Sequence, residues 1–355
     1  MAKYKVFDGH NDTLLKLELN DCSQNSQEFF DGNDACHIDY PKSQTGGLVG
    51  GFFAMWIPTV PKGVALTDYV FTYDSAGDEL VQPAAIDITN KMLSRALRME
   101  KNPSQRVKIV RQASDIQTAS DNNQTAILLH IEGAEAIGPE LNELEVLYAA
   151  GLRSIGPVWS RKNIFADGVP LGASGSPDTG EGLTDIGKAL VRSCNDMGVM
   201  LDMSHINEKG FWDVVRLSDA PIVATHSNVH AICPSARNLT DKQLAAIAES
   251  KGLVGLNYHC AFLRPDLKRD PNTPLTLLVE HLAYLVDKLG EDGVALGSDF
   301  DGAVMPEQIG NAAGLPNLTA AMEQAQFGET LIQKICFDNW VNLLDRTLKP
   351  STKVS

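Results

Sequence analysis

Near the start of the chain, His10 and Asp12 stand two residues apart in the stretch DGHND. On an extended segment, side chains two apart point to the same side, so both can hold one cation. By itself this spacing is weak, because a histidine near a strand end is more often hydrogen-bonded than ligated. Its company gives it weight. Glu132, in HIEGAEA, ends an apolar run, where a carboxylate is costly to bury unless it is paired, protonated or bound to metal. Bridging two cations resolves that cost; a salt bridge to an arginine is the alternative. His205 in DMSH and His226 in ATHSN each follow an aliphatic or β-branched run, and from there neutral imidazoles can serve a second metal. Asp299, in ALGSDFDG, is a ligand or a proton shuttle, with Asp301 its competitor on the same side. His130, two residues before Glu132, is expected deeper in the core as a hydrogen-bonded histidine.

For these residues to meet, the chain must bring distant strand ends together. Short apolar runs recur at Lys5 to Phe7, Gly50 to Ile57, Ala126 to Ile131, Leu152 to Val158, Val199 to Met203, Ile222 to Ala224, Leu253 to Asn257 and Val294 to Gly297. Helix-like segments lie between them, at Ala84 to Met99, Glu143 to Ala150, Thr184 to Met197, Asp241 to Glu249 and Thr276 to Leu289. Thr184 and Asp241 read as N-caps, and Gly198 and Gly252 as helix stops. The stretch from 13 to 49 is polar and reads as irregular. Alternating strand and helix predicts an α/β fold, a (β/α)₈ TIM-type barrel whose C-terminal mouth gathers the ionisable residues. Asp8, Asp202 and His259 fall at the same strand ends. A doubly wound open sheet is the structural alternative. One domain is expected over residues 1–355, with a helical C-terminal extension near Glu329 to Leu348.

Composition narrows the setting. A chain of 355 residues with 43% hydrophobic residues can fill a sizeable core. A net charge of −15 disfavours nucleic-acid partners, since phosphate backbones attract basic surface. No apolar run reaches the roughly 20 residues of a membrane helix, so no membrane partner is expected. The six cysteines lack CxxC spacing and the N-terminus lacks a signal-peptide profile, which predicts reduced thiols and a cytoplasmic location.

At this point the ordered stretches DGHND, GGLVGGFF (46–53), IEG at Glu132, DMSH, THSN, PSARNLTD (234–241) and GSDFDG (297–302) resemble the membrane dipeptidase family, also called renal dipeptidases, of the amidohydrolase superfamily. The likeness spans nearly the whole chain. It implies a binuclear centre with two Zn²⁺ ions, one on His10 and Asp12, the other on His205 and His226, with Glu132 bridging. Manganese, cobalt or iron would suit the same donors. Asp299 is similar to the family's proton-transferring aspartate. Arg237 is similar to the arginine that binds the substrate's terminal carboxylate, a task suited to a guanidinium fork.

One position departs from the family pattern. Trp159 stands where the best-known members carry a histidine that contacts the scissile carbonyl or the oxyanion. An indole donates one hydrogen bond and cannot become cationic. Oxyanion stabilisation would then rest on metal, on the Trp159 N–H, or on Arg161 or Asn163. The resemblance thus implies a zinc-dependent dipeptidase in which a metal-bridging hydroxide cleaves dipeptides, including those with a C-terminal D residue. An N-acyl-(D-)amino acid amidase or deacylase is the enzymatic alternative, and a non-catalytic metal- or ligand-binding barrel the other. A homodimer is among the expected assemblies.

Overall fold

The computed structural model describes residues 2–60, 64–70, 78–172 and 175–349; Met1 and residues 350–355 of the expected domain lie outside them. Among the described residues nine strands alternate with helices: β1 (Val6–Asn11), β2 (Leu48–Trp56), β3 (Val107–Ile109), β4 (Thr125–Glu132), β5 (Leu152–Gly156), β6 (Met200–Leu201), β7 (Val223–Ala224), β8 (Leu253–Leu256) and β9 (Val294–Leu296). The first six form one parallel sheet in the order β1-β2-β4-β5-β6, with β3 paired to β4; β7-β8-β9 form a second parallel sheet. Two isolated parallel bridges, Asp202 with Val223 and Asn11 with Phe300, connect one sheet to the other at both ends. In register, Trp56 of β2 stands beside Glu132 of β4, and Glu132 beside Gly156 of β5.

The helices form where the sequence gives them a buried stripe and ends to stop on. Residues 185–197 bury Gly187, Leu190, Val191 and Cys194, the three- and four-residue spacing of one helix face. Thr184 caps the start by accepting the Gly187 N–H, and Gly198 ends the helix at φ 71°. The helix 241–249 is capped one residue earlier than expected: Thr240 and Gln243 form a reciprocal capping box, and Asp241 is its first helical residue. After it, Lys251 rather than Gly252 takes the positive φ.

Three local expectations change. Strand β1 runs on to Asn11 instead of stopping at Phe7, because its backbone continues to pair with β2 through polar positions that apolarity alone does not reveal. Strand β3 is too short to stand out by pattern. The stretch 13–49 holds helices at Thr13–Leu19, Gln27–Asp31 and Tyr40–Gly46 before β2 begins.

The segment 329–347 packs onto the strands at the end away from the polar cluster. Phe337, Trp340, Leu343 and Leu344 join Phe7, Phe52, Leu128, Met200, Val223, Leu253 and Ala295 in one buried cluster drawn from seven strands. Trp340 donates its indole N–H to the Leu296 carbonyl at 2.9 Å and lies 4.7 Å from the Phe52 ring. Gly9 makes this fit possible: a Cβ there would come within 2.6 Å of the Trp340 ring and 2.9 Å of the Leu296 carbonyl oxygen.

Candidate metal centre and active site

The C-terminal ends of the strands carry the polar residues, and most of the expected ones meet there. His10, in β1, is fully buried, and its Nε2 lies 3.6 Å from Asp12 Oδ2 and 3.6 Å from Glu132 Oε2. Glu132 Oε1 lies 2.8 Å from His205 Nε2 and 3.3 Å from His226 Nε2. Those two Nε2 atoms face one another at 3.1 Å, and the His10 and His226 rings stack at 3.8 Å. Ligand atoms of His10, Glu132 and His226 lie within 4.8 Å of one another, as do those of His10, Asp12 and Asp299.

The surroundings turn the histidines toward this point. Thr225 gives its hydroxyl proton to Asp202 Oδ2 at 2.6 Å, so it can only accept from His226 Nδ1, 2.8 Å away. His226 Nε2 is thereby left with a lone pair. Asp202 is held in turn by the Ser204 hydroxyl and the Thr225 N–H. His205 Nδ1 meets the Ser160 hydroxyl at 2.8 Å, again leaving Nε2 for the centre.

A cation fits this arrangement better than none. Among the described residues, both His10 nitrogens and Asp12 Oδ1 are buried without a hydrogen-bond partner, although such atoms are nearly always satisfied. Burial, helped by the Arg237 and His10 charges, holds the His205 and His226 imidazoles well below their usual pKa, hence neutral and able to donate a lone pair. Burial also pushes the Glu132 and Asp12 carboxyls up. Burial opposes protonation of His10, but the Glu132 and Asp12 carboxylates outweigh it and raise the ring to about 10. These protons are ones that a divalent cation would displace.

Asp299 and Asp301 are separated by their partners. Asp301 is spent on Thr13 Oγ1 at 2.7 Å and the His37 N–H at 2.6 Å. Among the described residues Asp299 keeps a single side-chain bond, accepting from Asn257 Nδ2 at 2.9 Å, and its backbone N–H donates to the His10 carbonyl at 3.0 Å. Gly302 leaves room here, since a Cβ would fall on the Asp12 carboxylate and 2.7 Å from Asp299 Oδ1. As expected, His130 lies deeper: it bonds Ser154 Oγ at 3.0 Å, and burial lowers it to about 3.

A cavity of about 550 Å³ opens over the cluster, lined by Asp12, Glu132, His205 and Asp299 together with Trp56, Trp159, His259 and Phe262. Trp159 lies 5.8 Å from the His205 ring and 4.9 Å from Trp56. The two neighbours considered for oxyanion contact are engaged elsewhere. Arg161 bonds Glu135 at 2.7 Å and the Ile57 carbonyl at 2.7 Å, and Asn163 bonds Pro157, Phe165 and Ala166 within its own loop. Arg237 is buried just behind the cavity wall and is not among the lining residues. Its guanidinium stacks on Phe262 at 5.2 Å and donates to the Ser204 and His226 carbonyls, to Ser227 Oγ and to His205 Nε2, leaving Nε–H without a partner among the described residues. Burial lowers it to about 10, against the pull of Asp299 and Glu132.

The sequence reading placed Asp202 at a strand end without a role, and did not single out Thr225, Ser160, Asn257 or Gly302. A hydroxyl residue directly before a histidine, as in Thr225-His226, was the signal available for Thr225; Ser160 lies 45 residues from the His205 it meets, and no local pattern marks Asn257 or Gly302.

Imidazoles and carboxylates gathered around a common point, beneath a cavity with a nearby acid, define the class of metal-dependent hydrolases. Comparison with known proteins narrows it. The family model described as membrane dipeptidase (peptidase family M19) matches residues 1–353. A crystal structure of a metallo peptidase from Rhodobacter sphaeroides, liganded with a phosphinate mimic of the dipeptide L-Ala-D-Ala, is 44% identical and superposes with a TM-score of 0.90, covering 97% of this chain and 99% of that one. An uncharacterized protein in the pqqA 5' region of Klebsiella pneumoniae is 44% identical over 259 residues, 73% of this chain and 96% of the relative. Dipeptidase tcpJ of Claviceps purpurea is 25% identical over 342 residues, 95% of this chain and 76% of the relative. This chain belongs to the membrane dipeptidase family, peptidase family M19, and is a metallo-dipeptidase.

Proposed function

We propose that the chain hydrolyses dipeptides, including those with a C-terminal D residue, using two zinc ions held by His10 and Asp12 on one side, His205 and His226 on the other, with Glu132 shared. The observation that carries this is the Glu132 carboxylate lying between imidazoles on both sides, 2.8 and 3.3 Å from His205 and His226 and 3.6 Å from His10. Such ions would supply Lewis-acid polarisation of the amide carbonyl and make a water molecule acidic enough to attack near neutral pH. Manganese, cobalt and iron suit the same donors.

The protein's own groups do the rest. Asn257 fixes one oxygen of Asp299, which leaves the other to take a proton from the attacking water. As water oxygen bonds to the carbonyl carbon and the C–N bond breaks, Asp299 returns that proton to the leaving amine. Arg237 reads the terminal carboxylate, with its free Nε–H the available donor in this arrangement. Acceptance of a C-terminal D residue is supported by the L-Ala-D-Ala mimic held by the Rhodobacter sphaeroides relative. The bridges between the two sheets support a closed (β/α)₈ barrel as the scaffold. The six free cysteines support a cytoplasmic setting.

The test is Asp299→Asn. Metal content should stay near normal while kcat falls by roughly 10²- to 10⁴-fold; near-normal turnover at normal metal content refutes the shuttle. The aromatic wall of Trp56 and Trp159 beside His205 keeps N-acyl-D-amino acid deacylation as a second reading. Comparing turnover of L-Xaa-D-Xaa dipeptides with N-acyl-D-amino acids separates the two, because only the first demands room for a free α-amine.

A further inference from the structure

We propose that His259 is a substrate-binding residue whose Nε2–H donates to the C-terminal carboxylate of the dipeptide, adding a donor beside those of Arg237. The proposal rests on the dipeptidase reading above and deepens it.

The ring's hydrogen bonds fix which nitrogen carries the proton. His259 Nδ1 lies 3.2 Å from the Val304 N and 3.4 Å from the Val304 O. The Val304 carbonyl already accepts the Cys260 N–H at 3.0 Å, whereas the Val304 N–H is directed at Nδ1. Nδ1 is therefore the acceptor and the proton sits on Nε2. Among the described residues Nε2 has no hydrogen-bond partner, and His259 lines the cavity. Burial keeps the imidazole below its usual pKa, so it enters the site as a neutral donor.

Its neighbours place it on the leaving-group side. The His259 ring packs edge-on against Phe262 at 4.7 Å, and Phe262 carries the Arg237 guanidinium at 5.2 Å on its own ring. Asn257 accepts the His259 backbone N–H at 2.6 Å and donates to Asp299 at 2.9 Å, so one side chain sets both residues. A carboxylate offers several acceptor sites and is best held by more than one donor. Three of the four terminal N–H groups of Arg237 are held by Ser204, Ser227 and His226; the fourth faces His205 Nε2, the atom a metal would take, so Arg237 is left with its Nε–H and at most one Nη2–H to offer. His259 Nε2–H, on the cavity wall beside the Phe262 ring that carries Arg237, is a polar hydrogen available to complete the clamp.

Two substitutions separate the donor from the fold. In His259→Asn the amide oxygen can take the place of Nδ1 opposite the Val304 N–H, while the Nε2–H is lost. In His259→Gln the amide nitrogen reaches to where Nε2 stood and restores a donor. The metal-loaded enzyme is titrated with a phosphinate dipeptide analogue ending in a carboxylate, and with the same analogue ending in a carboxamide; dipeptide KM and kcat are measured alongside. His259→Asn should weaken the carboxylate analogue by roughly 10- to 100-fold, the range of a hydrogen bond to a charged group, and the carboxamide analogue by only a few fold. The dipeptide KM should rise much more than kcat falls, and His259→Gln should recover part of the loss. Equal losses on both analogues, which would put the donor on the scissile carbonyl, overturn the proposal. So does unchanged binding of the carboxylate analogue. Failure of the dipeptidase reading is seen separately, as wild-type protein that cleaves no dipeptide with metal bound.

Discussion

Replacing Thr225 with valine removes one oxygen from the interior and nearly nothing else, since the two side chains have almost the same shape. Thr225 is fully buried, and its hydroxyl links Asp202 Oδ2 at 2.6 Å to His226 Nδ1 at 2.8 Å. The change strands a buried carboxylate oxygen and a buried N–H. A group left unsatisfied in this way costs about 1–3 kcal/mol. Asp202 keeps the Ser204 hydroxyl, the Ser204 N–H and the Thr225 N–H on its other oxygen, so the total falls near roughly 2–4 kcal/mol of metal-free stability. The larger effect is on the centre. Without an acceptor for Nδ1–H, His226 no longer has its proton confined to the far nitrogen, and lost partners of this kind typically weaken metal binding by roughly 10- to 100-fold. Competition against a chromophoric chelator measures the affinity, and urea unfolding of the chelator-stripped protein measures the stability. Thr225→Ser retains the hydroxyl and should stay close to wild type in affinity. Valine protein that binds metal within twofold of wild type would refute both the relay and the assignment of His226 as a ligand.

Further outcomes follow from the core. His281 accepts the Val229 N–H at Nδ1 and bonds the Leu263 carbonyl through Nε2, and burial lowers it to about 4 from an ordinary 6.5. Because its folded pKa is depressed, the unfolded chain binds more protons between these values, and stability falls as pH drops from 6.5 to 4 by roughly 3 kcal/mol. Urea unfolding at pH 7 and pH 4 should show that loss, and His281→Gln should flatten it; an equal slope in the variant refutes the assignment. Trp340→Ala removes the ring that fills the space over Gly9 and the bond to the Leu296 carbonyl, and should cost roughly 3–5 kcal/mol in equilibrium unfolding. A loss below about 1 kcal/mol, under the range for emptied core sites, would mean the strand end collapses onto the gap.

Legibility in the sequence followed the range of each interaction. The alternation of strands and helices was readable because burial periodicity is local: the stripe Gly187, Leu190, Val191 and Cys194 declares its helix without reference to anything else. The extent of β1 was not, because Asp8, His10 and Asn11 are polar yet buried: Ser298, just past β9, bonds Asp8, the Phe52 carbonyl of β2 accepts from Asn11, and Glu132 of β4 lies 3.6 Å from His10. Candidate centre residues were readable as types at strand ends, since few side chains bind cations and fewer still are placed there at the end of an apolar run.

Partnership decided what type could not. Asp299 and Asp301 share a motif and both hold left-handed backbone, at φ 63° and 68°. They part only because Thr13 and the His37 backbone claim Asp301, while Asn257 leaves Asp299 an oxygen free. Arg161 was a reasonable candidate for the oxyanion from its place after Trp159, and it is withdrawn by Glu135, a residue 26 positions away. Its guanidinium instead lies over the Trp159 ring at 5.3 Å. A buried arginine bonded to a buried carboxylate is a support, since pulling it toward substrate would strand Glu135 in the interior. The Trp56 and Trp159 wall is thus stiffened from behind, and Arg161 serves the substrate's fit on that side by holding two indoles in place and not by reaching into the cavity.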